Sequence, residues 1–214
     1  MIESTTVLIN QLKDKLKSTL PGNKAHKLLE PETRRHFRNQ QPLENARKSS
    51  VLIVIFPSGD FYSTFTILRP EYDGVHSNQI AFPGGQMERQ DDNLMETAIR
   101  ETEEEINVYV DKQSILGKLT DIYIPPSNYL VAPYVAYFDQ KPQTKRQPSE
   151  VQEIIEVNLK EIIAPDAIVS RSFYLERYGQ VNVPCFVTGD YVIWGATAMI
   201  MSELREVLRE VFIR

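Results

Sequence analysis

Residues 82–108 read FPGGQMERQDDNLMETAIRETEEEINV, and within them Arg100-Glu101-x-x-Glu104-Glu105 follows a Gly84-Gly85 turn. Three carboxylates at i, i+3 and i+4 lie on one side of a helix. Hard divalent cations such as Mg²⁺ take oxygen ligands of this kind and usually keep some water. The set therefore suits a cation held against a phosphate chain. Gly84 and Gly85 let the backbone approach a ligand, and a carbonyl freed there would add one more oxygen. Arg100 stands one turn before Glu104, and Glu96 one turn before Arg100, so both spacings allow ion pairs that orient carboxylates.

The helix that must carry these groups is well marked. Asp91, Asp92 and Asn93 offer capping side chains, and Asn93-x-x-Glu96 has the outline of a capping box. Met95, Ala98, Ile99, Thr102 and Ile106 recur at helical spacing as a core stripe. At roughly 100° per residue, Glu101, Glu104 and Glu105 fall beside that stripe, at the edge of the core. A solvated acidic face is the plainer reading of any run of Glu. Against it, acidic groups late in a helix oppose the macrodipole, so stability alone does not favour them there.

The segment resembles the Nudix box of the Nudix hydrolases, which cleave nucleoside diphosphates linked to another group. Arg100, Glu101, Glu104, Glu105 and Val108 match its pattern. Thr102 stands at an apolar place, and Asn107 replaces the closing Gly, a mild change because Asn tolerates the left-handed turn. The early Glu of the box is missing, with Asp91 or Asp92 near its place, and the spacing from Gly85 to Arg100 is one residue longer than usual. The subgroup resembling coenzyme A pyrophosphatases has that longer loop. Its upstream signature is similar to Arg69 and to Gln79-Ile80-Ala81-Phe82-Pro83-Gly84-Gly85, with departures at Ile67, Gly74 and Asn78. SNYLVAPYV (127–135) and Ile193–Ala198 also look like this subgroup.

The resemblance implies an α/β fold, an α/β/α sandwich with a mixed sheet and a loop-helix-loop metal site. It implies Mg²⁺ or Mn²⁺ held by Glu101, Glu104 and Glu105 with help from Gly84 or Gly85. Glu101 would either ligate the metal or deprotonate the water, and Arg100 would orient Glu104. Nudix enzymes often add a carboxylate from a loop outside the box, and Glu150 is the leading candidate, with Glu153 second. Arg69 and Gln79 would line the substrate side. Tyr123, Tyr129 and Tyr134 could stack on adenine, although strand aromatics are usually core, and Trp194 reads as packing. The expected substrate is a small diphosphate, coenzyme A or a derivative, cut to 4′-phosphopantetheine and 3′,5′-ADP. The departures keep open ADP-ribose or another nucleoside diphosphate derivative, and a silent nucleotide sensor stands third.

The 214 residues suit one domain with a full core. A net charge of −5 disfavours a nucleic-acid surface but not a small phosphate neutralised by metal. No apolar run is long enough to span a membrane, and the first residues lack a basic start with an apolar centre, so a cytoplasmic location is expected. Cys185 is the only cysteine and lies in VPCFV, so it reads as a small core residue. KPQTKR (141–146) reads as a solvated loop.

Ile9, Leu12, Leu16 and Leu20 mark an amphipathic helix ended by Pro21-Gly22, and a short helix is expected near Glu32–Arg38. Residues 1–49 are taken as an N-terminal helical extension and 50–214 as the Nudix domain. The extension either completes the fold alone or pairs with a second subunit as a homodimer. Its Arg34, Arg35 and Arg38 could touch phosphate, although surface Arg is the commoner case. Strands are expected over Val51–Phe56, Phe61–Leu68, Ile80–Phe82, Ile115–Ile124, Tyr129–Phe138 and Val151–Leu159. A short helix follows at Leu159–Ile163, then a hairpin around Thr188-Gly189 and a last helix over Thr197–Phe212.

Overall fold

The continuous apolar, β-branched run after residue 50 can be satisfied only by cover on both faces, and the architecture follows from that. The structure, a computed structural model, describes residues 5–37, 40–71, 79–175 and 178–212, with the side chains of 35–37 left aside. Gly74, His76, Asn78 and Arg38 therefore lie outside the described residues, as does the side chain of Arg35.

Helices α1 (Thr5–Leu16) and α2 (Asn23–His26) precede two short 3-10 turns, Lys27–Leu29 and Glu32–Phe37. The long strand β1 (Arg47–Ser58) then pairs with β2 (Phe61–Leu68), which carries β3 (Ile80–Ala81) on its edge. A short strand β4 (Gly84–Gln86) pairs antiparallel with the start of β1, putting Gly84 opposite Val51 and Gly85 opposite Ser50. Helix α3 (Leu94–Ile106) follows. Strands β5 (Ile115–Lys118) and β6 (Ile122–Ile124) both pair with β7 (Tyr129–Tyr137), which lies parallel to β1. Strand β8 (Glu153–Asn158) returns to β2. After α4 (Leu159–Ile163), strands β9 (Val169–Leu175), β10 (Gly179–Thr188) and β11 (Tyr191–Ile193) form a second, antiparallel sheet, and α5 (Gly195–Phe212) ends the described chain.

The eight-stranded sheet is thus mixed, with helices on both faces. Along β1, Leu52, Val54 and Phe56 pack with Ala98 and Ile106 of α3, while Ile53 and Ile55 join the cluster that holds α1, α4 and α5. This period-two division of one strand between two cores makes the α/β/α layering. Two expectations need correction. Ile115–Ile124 is two strands rather than one, because the chain breaks between Lys118 and Ile122 around Thr120 and Asp121. Val169–Leu175 is a strand that its polar Ser and Arg residues hid.

The amino-terminal segment is fastened to α5 by a buried polar group. Glu203, fully buried, accepts hydrogen bonds from the Gly22 backbone N–H (2.9 Å), the Thr120 backbone N–H (3.0 Å) and the Thr120 hydroxyl (2.6 Å), and pairs with His26 Nε2 (3.0 Å). Burial pushes the Glu203 carboxyl up, but the bonds from His26 and Thr120 outweigh it and hold it below the usual value. Ser202 Oγ donates to the Ala25 carbonyl beside it (2.8 Å). Leu12 and Leu16 of α1 belong to the same core as Leu204 and Leu208 of α5.

Candidate functional site

Helix α3 holds its acidic side chains in place through both of its ends. Asn93 caps it, its Oδ1 accepting from the N–H groups of Met95 (3.0 Å) and Glu96 (3.2 Å). Glu96 accepts from the Asp92 N–H (3.3 Å) rather than from Asn93, so the capping box is displaced by one residue. At the other end Asn107 takes the left-handed conformation (φ 57°), and its N–H bonds the Glu103 carbonyl (2.9 Å). Two further amides serve this end from a distant loop. Gln147 N–H reaches the Glu105 carbonyl and Lys145 N–H the Ile106 carbonyl, both at 2.9 Å. The loop over residues 139–152 is thereby tied to the helix terminus.

That tie brings Glu150 to the helix. Carboxylate oxygens of Glu101, Glu105 and Glu150 lie within 4.8 Å of one another. Glu104 stands apart: its side chain is 51% exposed and turns to Arg100 Nη1 (2.8 Å). Glu105 is not at an open edge of the core but inside it, 2% exposed. It accepts from the Gly84 N–H (2.8 Å) and stands 3.7 Å from Arg69 Nη2, which itself donates to the Gly84 carbonyl (2.9 Å). Burial pushes the Glu105 carboxyl up to about 8, with Arg69 and the Gly84 N–H working against the rise and Glu101 and Glu150 adding to it. Burial raises Glu101 too, partly offset by Arg100. Glu153, the second candidate outside the box, instead accepts from the Tyr191 hydroxyl (2.5 Å).

Three acidic side chains this close, one of them buried, call for positive charge. Hard oxygen donors at this spacing fit a divalent cation. The Gly84 carbonyl retains a lone pair beyond its bond from Arg69. At Gly85 the strand lies close against the helix: a Cβ there would lie 2.3 Å from Glu101 Oε1.

Arg100 organises the acidic side chains from behind. Its guanidinium bonds both oxygens of Asp91 (2.9 Å each), Glu101 (3.0 Å), Glu104 (2.8 Å) and the Gln86 carbonyl (3.2 Å). Asp91 also accepts from the Thr97 hydroxyl (3.0 Å) and the Glu88 N–H (2.9 Å). Asp91, read from the sequence as a cap, is thus the anchor of Arg100. Its place six residues after Gly85, where the box pattern expects the early Glu, was the signal. The Arg100 guanidinium holds the Asp91 carboxyl down at about 2. A depressed carboxyl stabilises the fold above its unfolded value and loses that contribution as pH falls through the folded value. Asp91→Asn is therefore expected to cost about 2 kcal/mol near neutral pH, the gap to wild type closing between roughly pH 4 and pH 2. Melting temperatures of both proteins across that range measure it.

Beside the glycines opens a cavity of about 460 Å³. Arg69 and Gln79 line it, as do Tyr129 and Trp194. Tyr129 carries the Arg47 guanidinium 4.0 Å from its ring centre and donates its hydroxyl to Gln86 (2.9 Å). Trp194 stacks on Phe173 at 5.2 Å. Tyr123 and Tyr134 are not among the lining residues: Tyr123 is buried with its hydroxyl on Asn128 (2.9 Å), and Tyr134 packs in the α3 core. Ile67, fully buried in that core opposite Ala81, does not touch the cavity. Lys141 in the basic loop is paired with Glu156 (2.5 Å). Cys185 is fully buried, and no helix among the described residues is long and apolar enough to cross a membrane.

The NUDIX domain family model matches residues 46–176. An uncharacterized Nudix hydrolase, NudL, of Photorhabdus laumondii is 35% identical over 134 residues, covering 61% of this chain and 69% of that protein. Its counterpart in Yersinia enterocolitica is 30% identical over 79% of this chain and 88% of that protein. The human mitochondrial coenzyme A diphosphatase NUDT8 is 28% identical over 64% of this chain, and the match spans 58% of its length. Among solved structures, a MutT/nudix family protein from Enterococcus faecalis superposes with a TM-score of 0.55 at 16% identity, over all of this chain and 76% of that one.

Proposed function

Because the chain belongs to the Nudix hydrolase family, pyrophosphohydrolases acting on phosphoric anhydrides, we propose that it cleaves the diphosphate bridge of coenzyme A or its derivatives, giving 4′-phosphopantetheine and 3′,5′-ADP. The observation that carries the reading is the meeting of Glu101, Glu105 and Glu150 with the Gly84-Gly85 strand at the edge of a cavity lined by Arg69 and Gln79. The choice of substrate rests on the similarity to the human coenzyme A diphosphatase. The departure at Ile67 falls on a core residue that does not line the cavity.

Nudix hydrolases generally use divalent metal ions. Glu101, Glu105 and Glu150 would hold Mg²⁺ or Mn²⁺ here, helped by the Gly84 carbonyl. The half-exposed Glu104 would join by exchanging its surface contact with Arg100, a pair worth little in water. The cation would supply positive charge against the diphosphate oxygens, whose own charge repels a nucleophile. Glu105 is kept in register by the Gly84 N–H, and Glu101 by Arg100. A carboxylate of this cluster, Glu101 or Glu150, takes the proton from the attacking water. Arg69, fixed by the Gly84 carbonyl, faces the substrate's negative charge from the cavity side.

A turnover screen tests this. Purified protein with Mg²⁺ or Mn²⁺ is offered coenzyme A, acetyl-coenzyme A, ADP-ribose, NADH and diadenosine polyphosphates, with products weighed by mass spectrometry. The highest kcat/KM is expected for the coenzyme A species, with 3′,5′-ADP released. A preference for ADP-ribose or NADH would reject the substrate assignment and leave the carboxylate cluster standing.

A further inference from the structure

One wall of the cavity is not used by the reaction above. It comes from the amino-terminal segment, where Pro31, Thr33 and Arg34 join the lining. Arg34 sits in the 3-10 turn Glu32–Phe37, its backbone N–H on the Pro31 carbonyl (2.9 Å). Its side chain is only 19% exposed. One nitrogen, Nη2, donates to the Tyr123 carbonyl, and Nε stands 4.0 Å from Glu30, the outer limit of an ion pair. Among the described residues the guanidinium has no other acceptor. A guanidinium carries five N–H donors in a planar fork matched to phosphate.

Burial of this group is thus incompletely answered by the protein. It lowers the proton affinity of Arg34, with Glu30 pushing only partly back. A charge drawn out of water without a full partner is costly unless a ligand supplies one. The segment that carries it is no loose tail. Gly22 and His26 are bound to Glu203, Ala25 to Ser202, and Leu29 is fully buried.

We propose that Arg34 binds a second anionic group of the substrate, a phosphomonoester remote from the diphosphate bridge. On coenzyme A that group is the 3′-phosphate of the ribose, so the inference rests on the coenzyme A reading and adds a specificity determinant to it. Arg34 then distinguishes a substrate bearing this phosphate from the same diphosphate without it.

The test compares coenzyme A with dephospho-coenzyme A, identical but for the 3′-phosphate, on wild type, Arg34→Met and Arg34→Lys. Wild type is expected to prefer coenzyme A. Arg34→Met should lose about 10- to 100-fold in kcat/KM on coenzyme A, mostly through KM, and stay within about twofold on dephospho-coenzyme A. Arg34→Lys should fall between, since it keeps the charge but not the fork. Equal losses on both substrates would overturn the proposal and assign Arg34 to holding the segment on Tyr123, and no loss on either would overturn it outright. If wild type cleaves neither compound, the coenzyme A reading fails and takes this inference with it.

Discussion

Glu105→Gln is expected to lower kcat by about a thousandfold or more while leaving the protein folded. Glutamine keeps the shape, and its amide oxygen can still accept from the Gly84 N–H. What it removes is the buried negative charge. Because burial pushes the Glu105 carboxyl up to about 8, ionising it costs the folded state and not the unfolded one. The contribution of Glu105 to the stability of the metal-free wild type should therefore be greatest below the ordinary carboxylate range. It should fall as pH rises toward 8, by a few kcal/mol at about the upper bound. Glu105→Gln should lack that slope and melt at least as high as wild type near pH 8. Adding Mn²⁺ should raise the melting temperature of wild type and leave the variant unmoved. Melting curves across pH, with and without Mn²⁺, beside turnover rates, read all of this. Full activity in Glu105→Gln would remove this carboxylate from the chemistry.

The second large effect separates two neighbouring glycines. A Cβ on Gly85 would stand 2.3 Å from Glu101 Oε1 and 2.4 Å from Cδ, touching only the end of a flexible side chain. Gly85→Ala should fold, displace the Glu101 carboxylate by about an ångström and cost about 100-fold in kcat. A Cβ on Gly84 would stand 2.2 Å from the Ser50 carbonyl and 2.6 Å from Val51 Cα, both backbone, at φ +152°. Gly84→Ala should therefore fail to fold, since β1 cannot yield there. Circular dichroism and turnover of the two purified variants distinguish the outcomes. An unchanged kcat in Gly85→Ala would mean that the position of Glu101 does not matter.

Local signals in the sequence located helix α3 well. Asn93 and Asn107 cap it as expected of Asn at these positions, and the continuous apolar run of β1 reads directly as burial on both faces. Less legible were features set by partners distant in the chain. Gly84–Gln86 has no strand propensity of its own and becomes a strand because β1 offers it an edge. The depth of Glu105 depends on the Gly84 amide reaching across to it, which no helical wheel contains. Glu150 could be nominated only through the family resemblance around Glu150-Val151, and its approach to α3 needs the Lys145 and Gln147 amides on the helix end. The box spacing is a further case. The added residue between Gly85 and Arg100 leaves the bridge to Asp91 intact, because loops absorb length while ion pairs need only proximity.

Strand β1 also determines how the molecule comes to exist in time. It is held by β2 and β4, which follow soon after, and by β7, where Arg47 lies opposite Tyr129 and Ile55 opposite Tyr137. Such distant parallel pairing slows folding, since a long loop must close before contacts repay it. A nascent chain that has not yet made β7 presents Leu52–Phe56 as a bare apolar edge, open to self-association. Chain fragments ending before residue 129 should therefore aggregate rather than fold, even though every box residue is already present in them.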